Sequence, residues 1–203
     1  MNYLIHTFTA VPEQLPLHEI ARYMGMRSDG MTDETRTRVI QLMPKYLEEI
    51  RCKGCWMEVP VKIEEDRIDF DVISVRSTHL GRNLTGCQKA ILFSATLGSN
   101  VDRLCRSANI TSLANGLIYD AMGSAAIEWF CDELCDQVLK EYPSYEKRPR
   151  FSPGYGDLPL TLQSKLLDVL DARRSIGLVL SESLMMIPQK SVTAIMGLCK
   201  LDI

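Results

Sequence analysis

The longest helical pattern in this sequence runs roughly from Ser112 to Glu141, and the rest of the fold has to be arranged around it. Its middle, Gly123-Ser124-Ala125-Ala126, is made of small residues, so another backbone or a ligand can come close there. A second constraint is Ala90-Ile91-Leu92-Phe93-Ser94-Ala95-Thr96-Leu97-Gly98, an apolar run suited to a buried strand. Ser99 or Asn100 is placed to cap a helix that follows it. At 203 residues the chain predicts one mixed α/β domain over 1–203.

The remaining elements follow from periodicity and punctuation. Leu17, Ile20 and Met24 share one helical face that stops at Gly25. A second helix is predicted from about Thr32, with Asp33 and Glu34 in its positive first turn and an apolar face of Val39, Met43, Tyr46, Leu47 and Ile50. Pro44 inside that pattern predicts a kink or break. Trp56–Ile63 and Arg67–Val75 read as strands around the turn Glu64-Glu65-Asp66, followed by a short helix around Thr78–Thr85. Pro143–Pro159 reads as a loop or extended segment, and Pro159–Arg174 as a helix. Ile176–Ser183 and Ser191–Gly197 read as strands joined through Pro188-Gln189-Lys190.

Several function classes are excluded early. The net charge is −3 and the basic cluster Lys147, Arg148, Arg150 is too small for a nucleic-acid footprint. No apolar run reaches membrane-spanning length, and Met1–His6 lacks the regions of a signal peptide, which predicts a cytoplasmic protein. In that reducing compartment the seven cysteines are expected as thiols. Gly154-Tyr155-Gly156 lacks the third glycine of a dinucleotide loop, and no phosphate-binding Gly-x-x-x-x-Gly-Lys occurs. His6, His18 and His79 are scattered. Cys52 and Cys55 have metal-ligand spacing and Cys131 and Cys135 lie one helical turn apart, but free thiols are the simpler expectation.

The informative stretch is Arg150-Phe151-Ser152-Pro153-Gly154-Tyr155-Gly156-Asp157-Leu158-Pro159. It resembles the Arg-x-x-Pro-Gly-Tyr loop of the activation domain of cobalamin-dependent methionine synthase. Ser181-Glu182-Ser183-Leu184-Met185-Met186-Ile187-Pro188 with Ser191-Val192 is similar to that family's Thr-Glu-Ser-x-x-Met-x-Pro-x-x-Ser-Val segment. Glu19–Gly25 resembles its opening helix, and Cys87 through Thr96-Leu97-Gly98 with Val101-Asp102-Arg103 resembles its stand-alone members.

The resemblance implies a twisted, largely antiparallel sheet flanked by helices. It also implies a reactivation subunit of methionine biosynthesis, acting within a methyltransferase system. Such a domain binds S-adenosylmethionine and offers its methyl group to cobalamin carried by a partner, the cobalamin-binding methionine synthase subunit, with a flavodoxin-like reductant supplying an electron. An activator of another corrinoid methyltransferase, or an interaction subunit that no longer binds the ligand, are the alternatives.

The residue chemistry suits such a ligand. Arg150 can meet a carboxylate as a planar fork, Pro153-Gly154-Tyr155 offers backbone at close range, and Tyr155 offers a ring face. The resemblance assigns Glu128 to the ligand's ammonium, and Glu182 is a candidate contact. Methyl transfer from a sulfonium moves no proton, so no general acid or base is expected. Taken singly, Arg150 reads as a surface residue, Gly154-Tyr155 as a turn, and Glu128 and Glu182 as exposed charges. The full-length family continues this loop with Ala-Cys-Pro-Asp-His and adds an aromatic and His-Pro tail; here the loop runs Gly156-Asp157-Leu158-Pro159 and the sequence reaches Ile203. That departure implies weaker binding or a pocket completed by a partner.

Overall fold

A computed structural model describes residues 3–27 and 30–201; Met1, Asn2 and Ile203, which entered the sequence reading, lie outside the described residues. In chain order the elements are β1 (His6–Phe8), α1 (Leu17–Tyr23), α2 (Asp33–Glu49), β2 (Lys53–Pro60), β3 (Lys62–Glu64), β4 (Arg67–Asp69) and β5 (Ser74–Arg76). Then come α3 (Thr78–Asn83), β6 (Cys87–Thr96), α4 (Ser99–Thr111), α5 (Leu113–Lys140) and β7 (Tyr145–Lys147). The last are α6 (Leu162–Val169), α7 (Ala172–Ile176), β8 (Val179–Leu180), β9 (Met186–Ile187) and β10 (Ser191–Lys200).

The predicted apolar run is β6, the middle of a wholly antiparallel sheet in the order β1-β2-β6-β10-β7. Its side chains alternate between two cores. Ile91, Phe93 and Ala95 face the core beneath α5, and Ala90 and Leu92 face the core beneath α6 and α7. A strand covered on both faces reads as a continuous apolar stretch, which explains the sequence signal. The antiparallel sheet flanked by helices is the architecture expected above.

The long helix begins where expected. Ser112 caps it by accepting a hydrogen bond from the Asn115 N–H at 3.4 Å, and Glu141 ends it. Its small middle has a different occupant from the one anticipated. A Cβ at Gly123 would lie 2.8 Å from Lys190 Cε, so the space belongs to the Lys190 side chain, whose ammonium meets Asp120 at 2.9 Å and Ser124 Oγ at 3.0 Å. Close approach of a backbone happens instead through Gly54, where a Cβ would fall 2.3 Å from Leu134 Cδ1 as β2 crosses α5.

Several expectations are corrected. α2 runs unbroken through Pro44, because Val39, Met43 and Tyr46 bury its inner face on both sides of the proline. Pro44 itself is exposed. Pro44→Ala is therefore expected to stabilise the chain by about 1–2 kcal/mol, the restored helical bond outweighing the freer unfolded chain. A higher urea midpoint with an unchanged slope checks it.

Ser99 is the first helical residue of α4 rather than its cap; Gly98 stands at the cap without a side chain to use. The strand predicted over Trp56–Ile63 divides at Val61 into β2 and β3. The one over Arg67–Val75 divides at Asp71, whose φ of 67° turns the chain. Asp171, at φ 42°, likewise divides the predicted helix Pro159–Arg174 into α6 and α7. Ile176 ends α7, so only Val179–Leu180 of the next predicted strand forms. The segment Pro143–Pro159 supplies edge strand β7, held by β10. Finally, not every cysteine is a thiol. Cys87 and Cys199 are directly opposed partners on β6 and β10 and are joined as a disulfide.

Candidate functional site

The chain leaves β7 still attached to β10. The Arg148 N–H donates to the Gly197 carbonyl at 2.8 Å, and Phe151 exchanges two 2.9 Å bonds with Ile195. Alternation along this extended segment decides where its side chains go. Phe151 enters the core beneath α6, so Arg150 is sent to the other face, toward α5. There Glu128 and Asp132 stand one helical turn apart. Arg150 Nη2 lies 2.9 Å from Glu128 Oε2 and 3.0 Å from Asp132 Oδ1.

Burial works against the charged guanidinium, but the neighbouring carboxylates of Asp132 and Glu128 outweigh it and hold Arg150 above its ordinary pKa. The Arg150 side chain is only 22% exposed, against 45% for Glu128 and 65% for Asp132, so the acids keep faces toward solvent. Both contacts use the same nitrogen. Among the described residues no protein acceptor is paired with Arg150 Nε or Nη1. Two surface depressions share Asp132 as a lining residue, the first also bordered by Arg150 and the second by Glu128. One of about 430 Å³ is lined by Cys135, Lys147, Arg148 and Met196; the other, about 290 Å³, is lined by Glu19, Arg22, Ala125 and Trp129.

Beyond Arg150 the loop turns tightly, with the Gly154 N–H donating to the Leu158 carbonyl at 2.9 Å and Gly154 at φ 86°. Pro153 is buried. Tyr155 is 70% exposed, its ring set T-shaped to Phe151 with centroids 5.5 Å apart.

No protein-family model and no curated protein matches the sequence. Among solved structures the chain is similar to one described as "Crystal Structure of the MetH Reactivation Domain bound to AdoHcy". The TM-score is 0.71 at 16% identity, covering 95% of this chain and 78% of that one. The fold is that of the MetH reactivation domain.

Within that reactivation-domain fold the sequence-predicted residues do not all meet. Arg150 and Glu128 touch, and Pro153, Gly154 and Tyr155 form the loop that continues from Arg150. Glu182 stands exposed on the turn between β8 and β9 and makes no ion pair or hydrogen bond among the described residues. Asp132 was missed. Its signal was the spacing of four residues from Glu128, which puts two acids on one helical face.

Asp157 was also missed as a structural residue. It accepts the Ser77 hydroxyl at 2.5 Å and the Thr78 and His79 N–H groups at 2.7 and 3.2 Å, so it rivets the loop to the start of α3. A Cβ at Gly156, which sits at φ 57°, would run into the exposed His79 ring and push it aside. The Ser77 hydroxyl, with the two N–H groups, holds the Asp157 carboxyl below its ordinary pKa. A lowered folded-state value gives stability that is present above the unfolded carboxyl pKa of about 4 and is lost as pH falls through the folded value. Asp157→Asn is thus expected to be less stable than the parent at pH 7 and to flatten the acid limb of an unfolding-against-pH curve. A parallel pair of curves would remove Asp157 from that role.

The thiols with metal-ligand spacing part company. Cys52 lies in the core beneath α5 and Cys55 in the opposite one, and burial pushes both up to about 12.

Proposed function

We propose that this chain binds S-adenosylmethionine and serves as a reactivation module for a cobalamin-dependent methionine synthase. What carries the reading is a fold shared over 95% of the chain with a domain described as bound to AdoHcy. The charges around Arg150 suit the same ligand class. An amino-acid end carries one carboxylate and one ammonium. Arg150 has unengaged Nε and Nη1 donors for the first, and Glu128, half open to solvent, has an oxygen for the second. Both could be met without breaking the Arg150–Glu128 pair, and one cation against the two acids Glu128 and Asp132 leaves a negative excess that suits the net positive charge of S-adenosylmethionine.

In this reading the Pro153-Gly154-Tyr155 loop that continues from Arg150 lies beside the site, and the exposed Tyr155 ring would turn toward the sulfonium or the adenine. Glu182, exposed on the turn between β8 and β9, would be a further contact, and Glu182→Gln should then weaken S-adenosylmethionine binding in the same titration. Cobalamin held by a partner would receive the methyl group, with one electron from a flavodoxin-like reductant. The work of this chain is to grip the amino-acid end, orient the methyl outward and exclude water, none of which needs a proton donor.

Calorimetric titration of the full chain with S-adenosylmethionine tests the binding. Heat without saturation across the millimolar range would leave only a scaffold. Mixing the chain with a cob(II)alamin-bearing methionine synthase subunit and a reductant then tests the client; methylation of some other corrinoid protein alone would replace it.

A further inference from the structure

Cys87 and Cys199 form a disulfide across 112 residues, while Cys52, Cys55, Cys105, Cys131 and Cys135 are free. Four of the free thiols are buried within the cores, and burial pushes all five upward, away from the reactive thiolate. The joined pair sits differently, at the end of the sheet. Cys87 opens β6, Cys199 is the last residue but one of β10, and a register irregularity lies between Leu198 and Cys199.

That corner is where three strands meet. Cys199 is opposed by Cys87 on one side and by Glu146 of β7 on the other, and Leu198 is opposed by Lys147. The segment delivering Arg148 and Arg150 leaves from the same place, its first bond running to Gly197. Among the described residues, and apart from the disulfide, the corner beyond Leu198 rests on a three-residue edge strand and single bonds from Leu201 N–H to the Ser144 carbonyl (2.9 Å) and Lys200 N–H to Gln88 Oε1 (3.1 Å). Cys87 and Cys199 are 8% and 5% exposed, flanked by exposed Gly86 and Lys200. Reagents therefore need only the last rung of the sheet to fray, not the core to open.

We propose that Cys87 and Cys199 are a reversible thiol–disulfide latch that stiffens the β6–β10–β7 corner and the arm carrying Arg150. The oxidant is a glutathione-type disulfide. One cysteine thiolate attacks a sulfur of it and expels one small thiolate; the second cysteine attacks the mixed disulfide and expels the other. Two protein thiols are oxidised, one small disulfide is reduced to two thiols, and the two protons pass to the released thiols. The latch would open and close whether or not S-adenosylmethionine is bound.

Its test uses the full chain equilibrated in glutathione buffers from fully reduced to fully oxidised. Peptide mapping follows the Cys87–Cys199 bond, and hydrogen exchange follows Tyr145–Lys147. The bond should form and break reversibly, with amide exchange at β7 roughly ten-fold slower when oxidised, a change well within the range of local opening. The unfolding temperature should rise by about 5 °C or more on closing so long a loop. Cys199→Ser should stay at the reduced values in every buffer. If that variant does not fold, the reduced parent chain serves as the same comparison. Thiols that persist in excess glutathione disulfide, a bond that excess glutathione does not open, or oxidation that leaves β7 exchange unchanged would each overturn the proposal.

Discussion

Arg150→Ala is expected to weaken S-adenosylmethionine binding by about 2–3 kcal/mol, the scale of a lost charge-assisted hydrogen-bonded pair. Arg150 pairs with both Glu128 and Asp132, so its removal withdraws the carboxylate's partner and leaves two acids one turn apart. That second effect acts on the free protein and is small, since Asp132 is largely solvated, Glu128 about half so, and like charges at that spacing cost only a few tenths of a kcal/mol. Binding and folding can therefore be separated. Arg150→Lys sharpens the test, because an ammonium on a flexible stem keeps the charge but not the fork, and it should recover only part of the affinity. An Arg150→Ala chain that titrates like the parent, or that loses stability while keeping affinity, would make Arg150 a clamp between β10 and α5 and nothing more.

Phe93→Ala should cost about 3–5 kcal/mol of folding stability, the cost of emptying a large buried site. Phe93 is fully buried in the middle of β6, with Trp56 opposite it on β2 and Ala194 on β10. Neighbours on both sides belong to the most extensively paired strands, so the gap has little freedom to close. Against a total of about 5–15 kcal/mol, a loss of this size should leave a folded but much weaker chain. Urea unfolding with an unchanged slope measures it. A loss below 1 kcal/mol would mean that the sheet repacks around the gap.

Much of the candidate site was legible because it is local. Glycines mark Gly154 and Gly156, both of which adopt positive φ, and a proline precedes the first of them. The grip on Arg150 was only half legible. Glu128 came from the resemblance, while Asp132 was passed over, since an acid four residues along a helix looks like one more solvated charge. Asp157 went unrecognised because its three partners lie 78 to 80 residues away on the start of α3.

By itself the sequence determined the parts whose information is periodic or punctuated: α5 from its Ser112 cap to Glu141, the doubly covered strand β6, and the tight loop after Arg150. Tertiary structure alone decided what those parts meet. It carried α2 straight through Pro44, filled the groove at Gly123 with Lys190, paired Arg150 with two acids and joined Cys87 to Cys199. The reason is range. Periodicity and capping act over a few residues and leave a local imprint, whereas a contact across 22, 66 or 112 residues depends on how layers stack, which no local pattern encodes.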